Sequence, residues 1–192
     1  MVCQLVIGDR RGNNYTEKRK LMKRPAFFSF HFDNDIWRAN QVRNIGVVDG
    51  NQPVSGNDWE AIKRGGDRAI MNWIEAQLKY KQILIVLIGS ETASRPWVLY
   101  GIKRAWELDK PIMGIRINAL ENVYGRQSRA GENPFERIRL DNGTLLSQWI
   151  PVYTPYSYGT SRDAYNDIRN NMGNWVEAAI AGQKNLRSMP LA

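Results

Sequence analysis

The stretch ILIVLIGSETASRPWVLYGIKRAWELDKPIMGIRI, residues 83–117, decides the fold of this chain. It opens with a continuous run of Ile, Val and Leu, which is typical of a central strand in a parallel sheet. Pro96 then suits the first turn of a helix in which Ile102 and Ala105 belong to the inward-facing row. The run PIMGIRI, residues 111–117, is the next strand. Strand, helix and strand in this order predict an α/β domain whose mostly parallel sheet lies between helices.

The residues upstream repeat this alternation of strand and helix. AFFSFHF, residues 26–32, indicates a buried strand, and the helix that follows it takes Asp33 or Asn34 as its N-cap. A long irregular connection comes next, in which we expect at most one short helix around residues 58–64. An amphipathic helix then leads into the strand at residue 83.

The residues downstream are less regular. Beyond Asn118 the chain becomes polar and rich in glycine, and we interpret this segment as an interaction loop. LLSQWIPVY, residues 145–153, supplies an edge strand, and residues 161–183 predict a final amphipathic helix. We see no repeat and no second domain, so residues 25–183 form one α/β domain.

Composition narrows the class of protein. The chain has 192 residues, of which 43% are hydrophobic and 24% charged, as expected of one globular domain. No apolar run approaches the roughly 18 to 20 residues of a membrane span, and the opening residues do not resemble a secretory signal, so we expect no membrane partner. The single cysteine, Cys3, forms no internal disulfide, which favours a cytoplasmic location.

The positive charge is concentrated near the start of the chain. Residues 1–24 contain seven Lys and Arg against Asp9 and Glu17, which gives +5 of the total net charge of +8. We interpret these residues as a basic, mobile N-terminal arm, and residues 184–192 as a C-terminal tail. Because the rest of the chain has no zinc-finger, helix-turn-helix or RNA-binding signature, we do not expect a nucleic-acid partner.

A ligand site is expected at the carboxyl ends of the strands. In parallel sheets these ends meet at one edge, where side chains and helix N-termini converge on small anionic or nucleotide ligands. Here they are residues 29–33, residues 89–95 and the residues from Asn118 onward. GSETAS, residues 89–94, resembles a phosphate cradle only in part, because it has neither the P-loop lysine nor the G-x-G-x-x-G spacing.

Four strings along the chain resemble one family. They are FFSFHFDNDIWRANQVRN (27–44), VLIGSETASRPWVLYGIKRA (86–105), GIRINAL (114–120) and GENPF (131–135). In this order and spacing they resemble the TIR-like domain of the Thoeris antiphage defence systems, over roughly residues 24–180. The resemblance implies a flavodoxin-like TIR fold with helices on both faces of the sheet. It also implies that the domain consumes NAD as a substrate, without a cofactor, and forms a cyclic ADP-ribose type of signal that activates an effector.

Gly101 departs from the pattern of this family. The corresponding family segment reads R-x-W-V-x-Y-E-I, and its glutamate is the catalytic carboxylate, but this chain has Gly101 after Tyr100. The carboxylate holds the nicotinamide ribose and stabilises the oxocarbenium-like charge as the glycosidic bond breaks, and glycine does neither. Loss of one such group costs about a hundred-fold or more in rate. Glu107 is six positions further along the helix, which places it about 120° away around the axis, so it is a poor substitute.

Three explanations of Gly101 stay open. The small residue can serve close helix packing or close approach of a ligand. Alternatively, the chain is a non-catalytic nucleotide-binding or scaffold module that assembles with partner proteins. In the third explanation it is an enzyme altered at this one codon. If the chain is an enzyme, assembly into a homo-oligomer can complete its site.

Other side chains at the strand ends can contact a nucleotide. A guanidinium grips phosphate through two hydrogen bonds and an aromatic ring stacks on a base, although solvated arginines and core aromatics explain the same residues without a ligand. The resemblance implies that Phe28 and Ser29, in the first strand, lie at the floor of the cleft; burial in the strand is the alternative explanation. The candidate substrate-binding residues are Phe28, Ser29, His31, Asp33, Trp37, Arg38, Arg43, Ser90, Arg95, Trp97, Tyr100 and Asn118.

His31 is the single histidine of the chain. Next to Asp33 it invites a general-base role, and a purely structural role is the alternative. Asp33 itself is also explained as a helix cap. With one histidine and one cysteine, the composition does not support a transition-metal site.

Overall fold

The structure is a computed structural model that describes residues 23–50 and 56–183. The predicted C-terminal tail lies outside these residues, and so does the predicted N-terminal arm apart from Lys23 and Arg24. Both segments therefore stay predictions.

The described residues alternate between strands and helices over most of their length. In chain order the elements are β1 Pro25–Ser29, α1 Phe32–Asn44, β2 Asp49–Gly50, α2 Gly56–Arg64, α3 Gly66–Lys79, β3 Ile83–Ile88, α4 Pro96–Glu107, β4 Ile112–Arg116, β5 Val152–Tyr153 and α5 Ser161–Gln183. Short 3₁₀ turns occupy Thr92–Ser94, Pro134–Arg137 and Leu146–Gln148. Among the described helices, none combines the length and the apolar character that a membrane span requires.

The strands form one parallel sheet in the order β2-β1-β3-β4-β5. In the register of the sheet, Phe28 of β1 is opposite Ile85 of β3, and Val86 of β3 is opposite Gly114 of β4. β3 lies at the centre and every one of its residues is buried, which explains its unbroken apolar sequence. The parallel sheet and the flavodoxin-like α/β architecture are therefore as predicted.

Helices cover both faces of the sheet, and alternate residues of β3 separate two apolar cores. Ile83, Ile85 and Leu87 pack with α1 and α5, whereas the residues between them pack with α3 and α4. Each fully buried Ile or Leu side chain contributes about 1.5–3 kcal/mol relative to exposure. The helices on both faces therefore hold the sheet rigidly, and with it the strand ends at which the site lies.

Local details differ from the sequence predictions at the first helix. The predicted strand over residues 26–32 ends at Ser29, and α1 begins at Phe32 with His31 as its N-cap. The backbone N–H of Asp35 donates to the carbonyl of His31 over 2.9 Å. The N-cap prediction for Asp33 or Asn34 is wrong by two or three positions, because the backbone alone closes this first turn.

The predicted irregular connection contains the short helix α2, as expected, and also the two-residue edge strand β2. None of the residues of α2 is fully buried, and its half-buried residues Trp59 and Ile62 pack against the core beneath α3 and α4. Gly66, the first residue of α3, has a φ of 74°, a conformation that favours glycine, and turns the chain directly after α2. This turn lets two consecutive helices lie against each other.

Candidate active site

A cavity of about 250 Å³ opens beside β1, α2 and the start of α4. Ligand pockets are roughly 300–1,000 Å³, so this volume suits a ring and a sugar better than a complete dinucleotide. Its lining residues come from five separate segments of the chain. They are Phe27, Phe28, Ser29, Phe30, His31, Phe32, Asp33, Arg43, Trp59, Lys63, Trp73, Ile74, Arg95, Pro96, Trp97 and Val98.

Aromatic rings form much of the cavity wall. The rings of Phe32 and Trp59 stack with centroids 5.9 Å apart, and Trp59 meets Trp73 edge to face at 5.8 Å. Trp73 in turn meets Phe27 at 5.8 Å. Such a wall suits a flat ring, and a cationic ring most of all, because the faces of Trp and Phe carry negative potential.

Trp59, Trp73 and Lys63 line the cavity, although no sequence pattern predicts them as site residues. Trp59 and Lys63 lie on α2, within the stretch that the sequence predicts as largely irregular. Trp73 has the helical spacing of a core residue. One sequence feature could have indicated the aromatic wall: residues 27–37 are rich in aromatic residues, and α2 and α3 each carry a tryptophan.

Positive charge predominates among the polar lining residues. Within the lining that the structure describes, the cations are Arg43, Lys63 and Arg95, and the one carboxylate is that of Asp33. Outside the lining, Lys63 pairs with Glu60 and Arg95 with Glu91. Burial lowers the pKa of Arg43 from its ordinary value. An aromatic wall beside such cations favours an anionic ligand that also carries a flat ring.

Residue 101 lies next to this cavity, although Gly101 is not itself one of the lining residues. A Cβ placed on Gly101 would lie 3.7 Å from Cγ2 of Ile74 and 4.0 Å from Oγ of Ser29, and both residues line the cavity. These are ordinary van der Waals distances, so close helix packing does not require a glycine here. The packing explanation of Gly101 is therefore wrong, and close approach of a ligand remains open.

His31 is 9% exposed and lies between two carboxylates. Its Nδ1 is 3.9 Å from Oε2 of Glu91, and its Nε2 is 3.9 Å from Oδ2 of Asp33. Burial lowers the pKa of His31 below its ordinary value, and the guanidinium of Arg95 lowers it further, while Asp33, Asp35 and Glu91 act in the opposite direction. The imidazole is therefore neutral at pH 7.

Glu91 and Arg95 form an ion pair next to His31. The Nη2 of Arg95 donates to Oε2 of Glu91, the same oxygen that faces His31. Because His31 and Arg95 both line the cavity, Glu91 lies next to two residues that can contact a ligand.

Arg38 does not reach the cavity, which corrects its prediction as a phosphate partner. Its guanidinium is buried and donates to the carbonyl oxygens of Leu120 and Arg126, at 2.8 and 2.9 Å, and to Oδ1 of Asp35 at 3.1 Å. Arg38 instead ties α1 to the loop that follows β4.

Four other predicted substrate-binding residues are not among those that line the cavity. Trp37 is 52% exposed on α1, and Tyr100 donates its hydroxyl to Glu75 over 2.6 Å. Burial, reinforced by Glu75, raises the pKa of Tyr100 to about 12. Ser90 and Asn118 are half-buried and also lie outside the lining. The cavity thus brings together Phe28, Ser29, His31, Asp33, Arg43, Arg95 and Trp97.

Asp35 explains the glycine at the start of GSETAS. A Cβ on Gly89 would collide with the carboxylate of Asp35, which is fully buried. One carboxylate oxygen pairs with Arg38, and the other has no hydrogen-bond partner among the described residues. Burial raises the pKa of Asp35 against the opposing effect of Arg38. The described ranges contain no cluster of three His, Cys, Asp or Glu residues with the arrangement of a metal site.

Comparisons with known proteins agree with the fold. Residues 27–122, half of the chain, match the family model described as Thoeris protein ThsB, TIR-like domain. A relative from Bacillus cereus (strain MSX-D12), named "Putative cyclic ADP-D-ribose synthase ThsB1", is 39% identical over 122 residues, which are 61% of this chain and 64% of that protein. The matched range includes every residue that lines the cavity. The chain belongs to the family of TIR-like domains of the Thoeris protein ThsB.

Proposed function

We propose that this domain binds NAD in the cavity and breaks its nicotinamide–ribose bond, forming a cyclic ADP-ribose type of signal that activates an effector protein. Family membership and the name of the Bacillus relative support an NAD-derived signal. The observation that carries the proposal is the place of residue 101, whose Cβ position is 3.7 Å from Ile74 and 4.0 Å from Ser29, two residues that line the cavity.

The nicotinamide end of NAD suits the cavity best. Its pyridinium ring is flat and cationic, and it can stack against the wall formed by Phe32, Trp59 and Trp73. The attached ribose then lies near Ser29 and residue 101. Lys63 and Arg95 are the lining cations that can contact the phosphates outside the ring subsite.

The chemistry needs stabilisation of positive charge on the ribose. When the bond between C1′ and the ring nitrogen breaks, its electron pair goes to the nicotinamide, and the ribose becomes an oxocarbenium ion. A carboxylate at residue 101 would stabilise this ion, whereas Gly101 leaves that position without charge. We therefore expect a rate about a hundred-fold or more below that of a carboxylate-bearing variant.

Gly101 also favours a second candidate function. Without the carboxylate, the domain can act as a nucleotide-binding or scaffold module that assembles with partner proteins. The cavity residues serve this function equally well, since binding needs the aromatic and cationic groups and no carboxylate at position 101. A homo-oligomer and a cytoplasmic location are compatible with both functions and stay predictions.

Incubation with NAD distinguishes the two functions. The unmodified chain and the Gly101→Glu variant are each incubated with NAD, and nicotinamide and the ribose products are separated by chromatography. The enzyme proposal predicts nicotinamide and a cyclic product from the variant and slower formation from the unmodified chain. Calorimetric binding of ADP-ribose without turnover by either protein would support the binding module instead.

A further inference from the structure

We propose that His31 is the general base of this site and that Glu91 is its positioning residue. In this arrangement Nε2 of His31 takes the proton from the oxygen that attacks C1′ of the ribose, while Glu91 accepts a hydrogen bond from Nδ1–H. This inference rests on the proposed function, since it names the group that activates the attacking oxygen.

The burial of His31 supports a role beyond packing. The ring lines the cavity, yet its Nδ1 is buried and has no hydrogen-bond partner among the residues that the structure describes. Buried polar atoms are normally paired, because an unpaired one loses its hydration without compensation. Glu91 Oε2, at 3.9 Å, is the carboxylate on the Nδ1 side. Catalytic hydrogen bonds of this kind are often long without substrate and shorten when it binds.

The opposite nitrogen is directed toward the site. Nε2 lies 3.9 Å from Asp33, which also lines the cavity and whose side chain is 70% exposed. A carboxylate on one nitrogen and a reactive group on the other is the arrangement that orients histidine bases in general. In this proposal Glu91 holds the proton on Nδ1, which leaves the Nε2 lone pair to accept a proton from the attacking oxygen.

The charges around His31 suit a base that works near neutral pH. The groups that face it are Asp33 and Asp35 on α1, Glu91 after β3, and Arg95 at the N-terminus of α4. Burial and Arg95 keep the free imidazole neutral, so it can accept a proton at pH 7. Once protonated, the imidazolium lies between Asp33 and Glu91, and their charges stabilise it.

The proton balance of the step is complete without a further reactant. The C1′–N bond breaks and its electron pair neutralises the nicotinamide ring. The attacking oxygen forms the new C1′–O bond and transfers its proton to Nε2 of His31, which later releases it to solvent. Water as the nucleophile gives ADP-ribose, and a hydroxyl of the same molecule gives a cyclic product.

The test uses His31 as its own spectroscopic probe. The chain contains one histidine, so its imidazole C2–H proton gives one assignable NMR signal. Titration of the unmodified chain should give a pKa below about 6.5. Addition of ADP-ribose should shift this signal, and Glu91→Gln should lower the pKa further because it removes a neighbouring negative charge. The matched control is Glu177→Gln, which removes a carboxylate on α5 that pairs with Arg24 and should leave the signal unchanged.

Activity is measured in the Gly101→Glu background. Adding His31→Asn should lower the rate of nicotinamide release at least about tenfold and remove the acidic limb of the pH profile, whereas the affinity for ADP-ribose should change much less than the rate. Adding Glu91→Gln should move that limb to lower pH. A loss of activity that only follows a loss of ADP-ribose affinity or of folded protein would overturn the proposal.

The two proposals fail in different ways. If the Gly101→Glu variant releases no nicotinamide although it binds ADP-ribose, the proposed enzyme function fails. The inference about His31 fails by itself when the Gly101→Glu variant releases nicotinamide and the added His31→Asn change alters neither the rate nor the acidic limb of the pH profile.

Discussion

The Cβ position of residue 101 lies 4.0 Å from Oγ of Ser29. This proximity joins α4 to the carboxyl end of β1, because residue 101 is on the buried side of α4 and Ser29 is the last residue of β1. Any side chain at position 101 therefore begins next to Ser29, which lines the cavity. The relationship makes residue 101 the position from which a carboxylate would enter the site.

The aromatic wall leads to a prediction about Trp59. Trp59→Ala should weaken the binding of NAD about tenfold, because the ring that stacks on Phe32 and meets Trp73 is lost from the cavity. Isothermal titration calorimetry measures the affinity. The matched control is Trp37→Ala, since Trp37 is an exposed tryptophan outside the cavity lining, and its affinity should stay within about twofold. Equal losses in both variants would contradict the placement of the ring.

The charge of the cavity leads to a prediction about Lys63. Lys63→Gln should weaken the binding of ADP-ribose and make that binding less sensitive to salt, because one cation facing the phosphates is removed. Arg64→Gln is the control, since Arg64 is exposed on the same helix and does not line the cavity. The affinity for ADP-ribose is measured at two salt concentrations. Equal affinities and equal salt dependence in the two variants would refute the prediction.

The contact between Gly89 and Asp35 leads to a prediction about stability. Gly89→Ala should lower the free energy of unfolding by about 1–3 kcal/mol, because the added methyl group collides with a buried carboxylate. Gly182→Ala is the control: a Cβ there meets no atom within 4 Å, so helix propensity should leave stability unchanged or raise it by up to about 1 kcal/mol. Urea unfolding measures both values. A Gly89→Ala protein as stable as the unmodified chain would show that the collision is relieved by movement.

The pKa of His31 leads to a prediction about the pH dependence of stability. Burial and Arg95 lower this pKa in the folded state, so the unfolded chain takes up the proton first as the pH falls. Above about pH 6.5, His31 makes its full contribution to the free energy of unfolding. This contribution decreases as the pH falls from there toward the folded-state pKa. Thermal unfolding between about pH 7.5 and pH 5.5 should therefore show a smaller decrease in melting temperature for His31→Asn than for the unmodified chain. The same decrease in both proteins would contradict the direction of the shift.

The fold could be predicted from local patterns. The unbroken apolar run of β3 and the helical spacing of apolar residues in α4 each show, within one short segment, which residues are buried. These local patterns were therefore sufficient to predict both elements. The two-residue strands β2 and β5 are different, because they are too short to carry a pattern of their own. The sequence predicted the second within a longer run and missed the first.

The site could be predicted only in part. Residues next to the strand ends, such as Ser29 and His31, were found because topology places them at one edge of the sheet. Trp59 reaches the cavity through the fold of α2 onto α3, and no local pattern reports that contact. Arg38 was assigned to phosphate because the sequence does not show that carbonyl oxygens of a loop more than 80 residues away occupy its guanidinium.

Nicotinamide release by variants at residue 101 tests the central claim most directly. The rates of the unmodified chain, Gly101→Glu and Gly101→Gln are compared at saturating NAD. We predict that Gly101→Glu exceeds both other proteins about a hundred-fold or more, since only its side chain brings negative charge beside Ser29. Equal rates for Gly101→Glu and Gly101→Gln, in folded proteins that bind NAD, would contradict the claim that this position supplies the catalytic carboxylate.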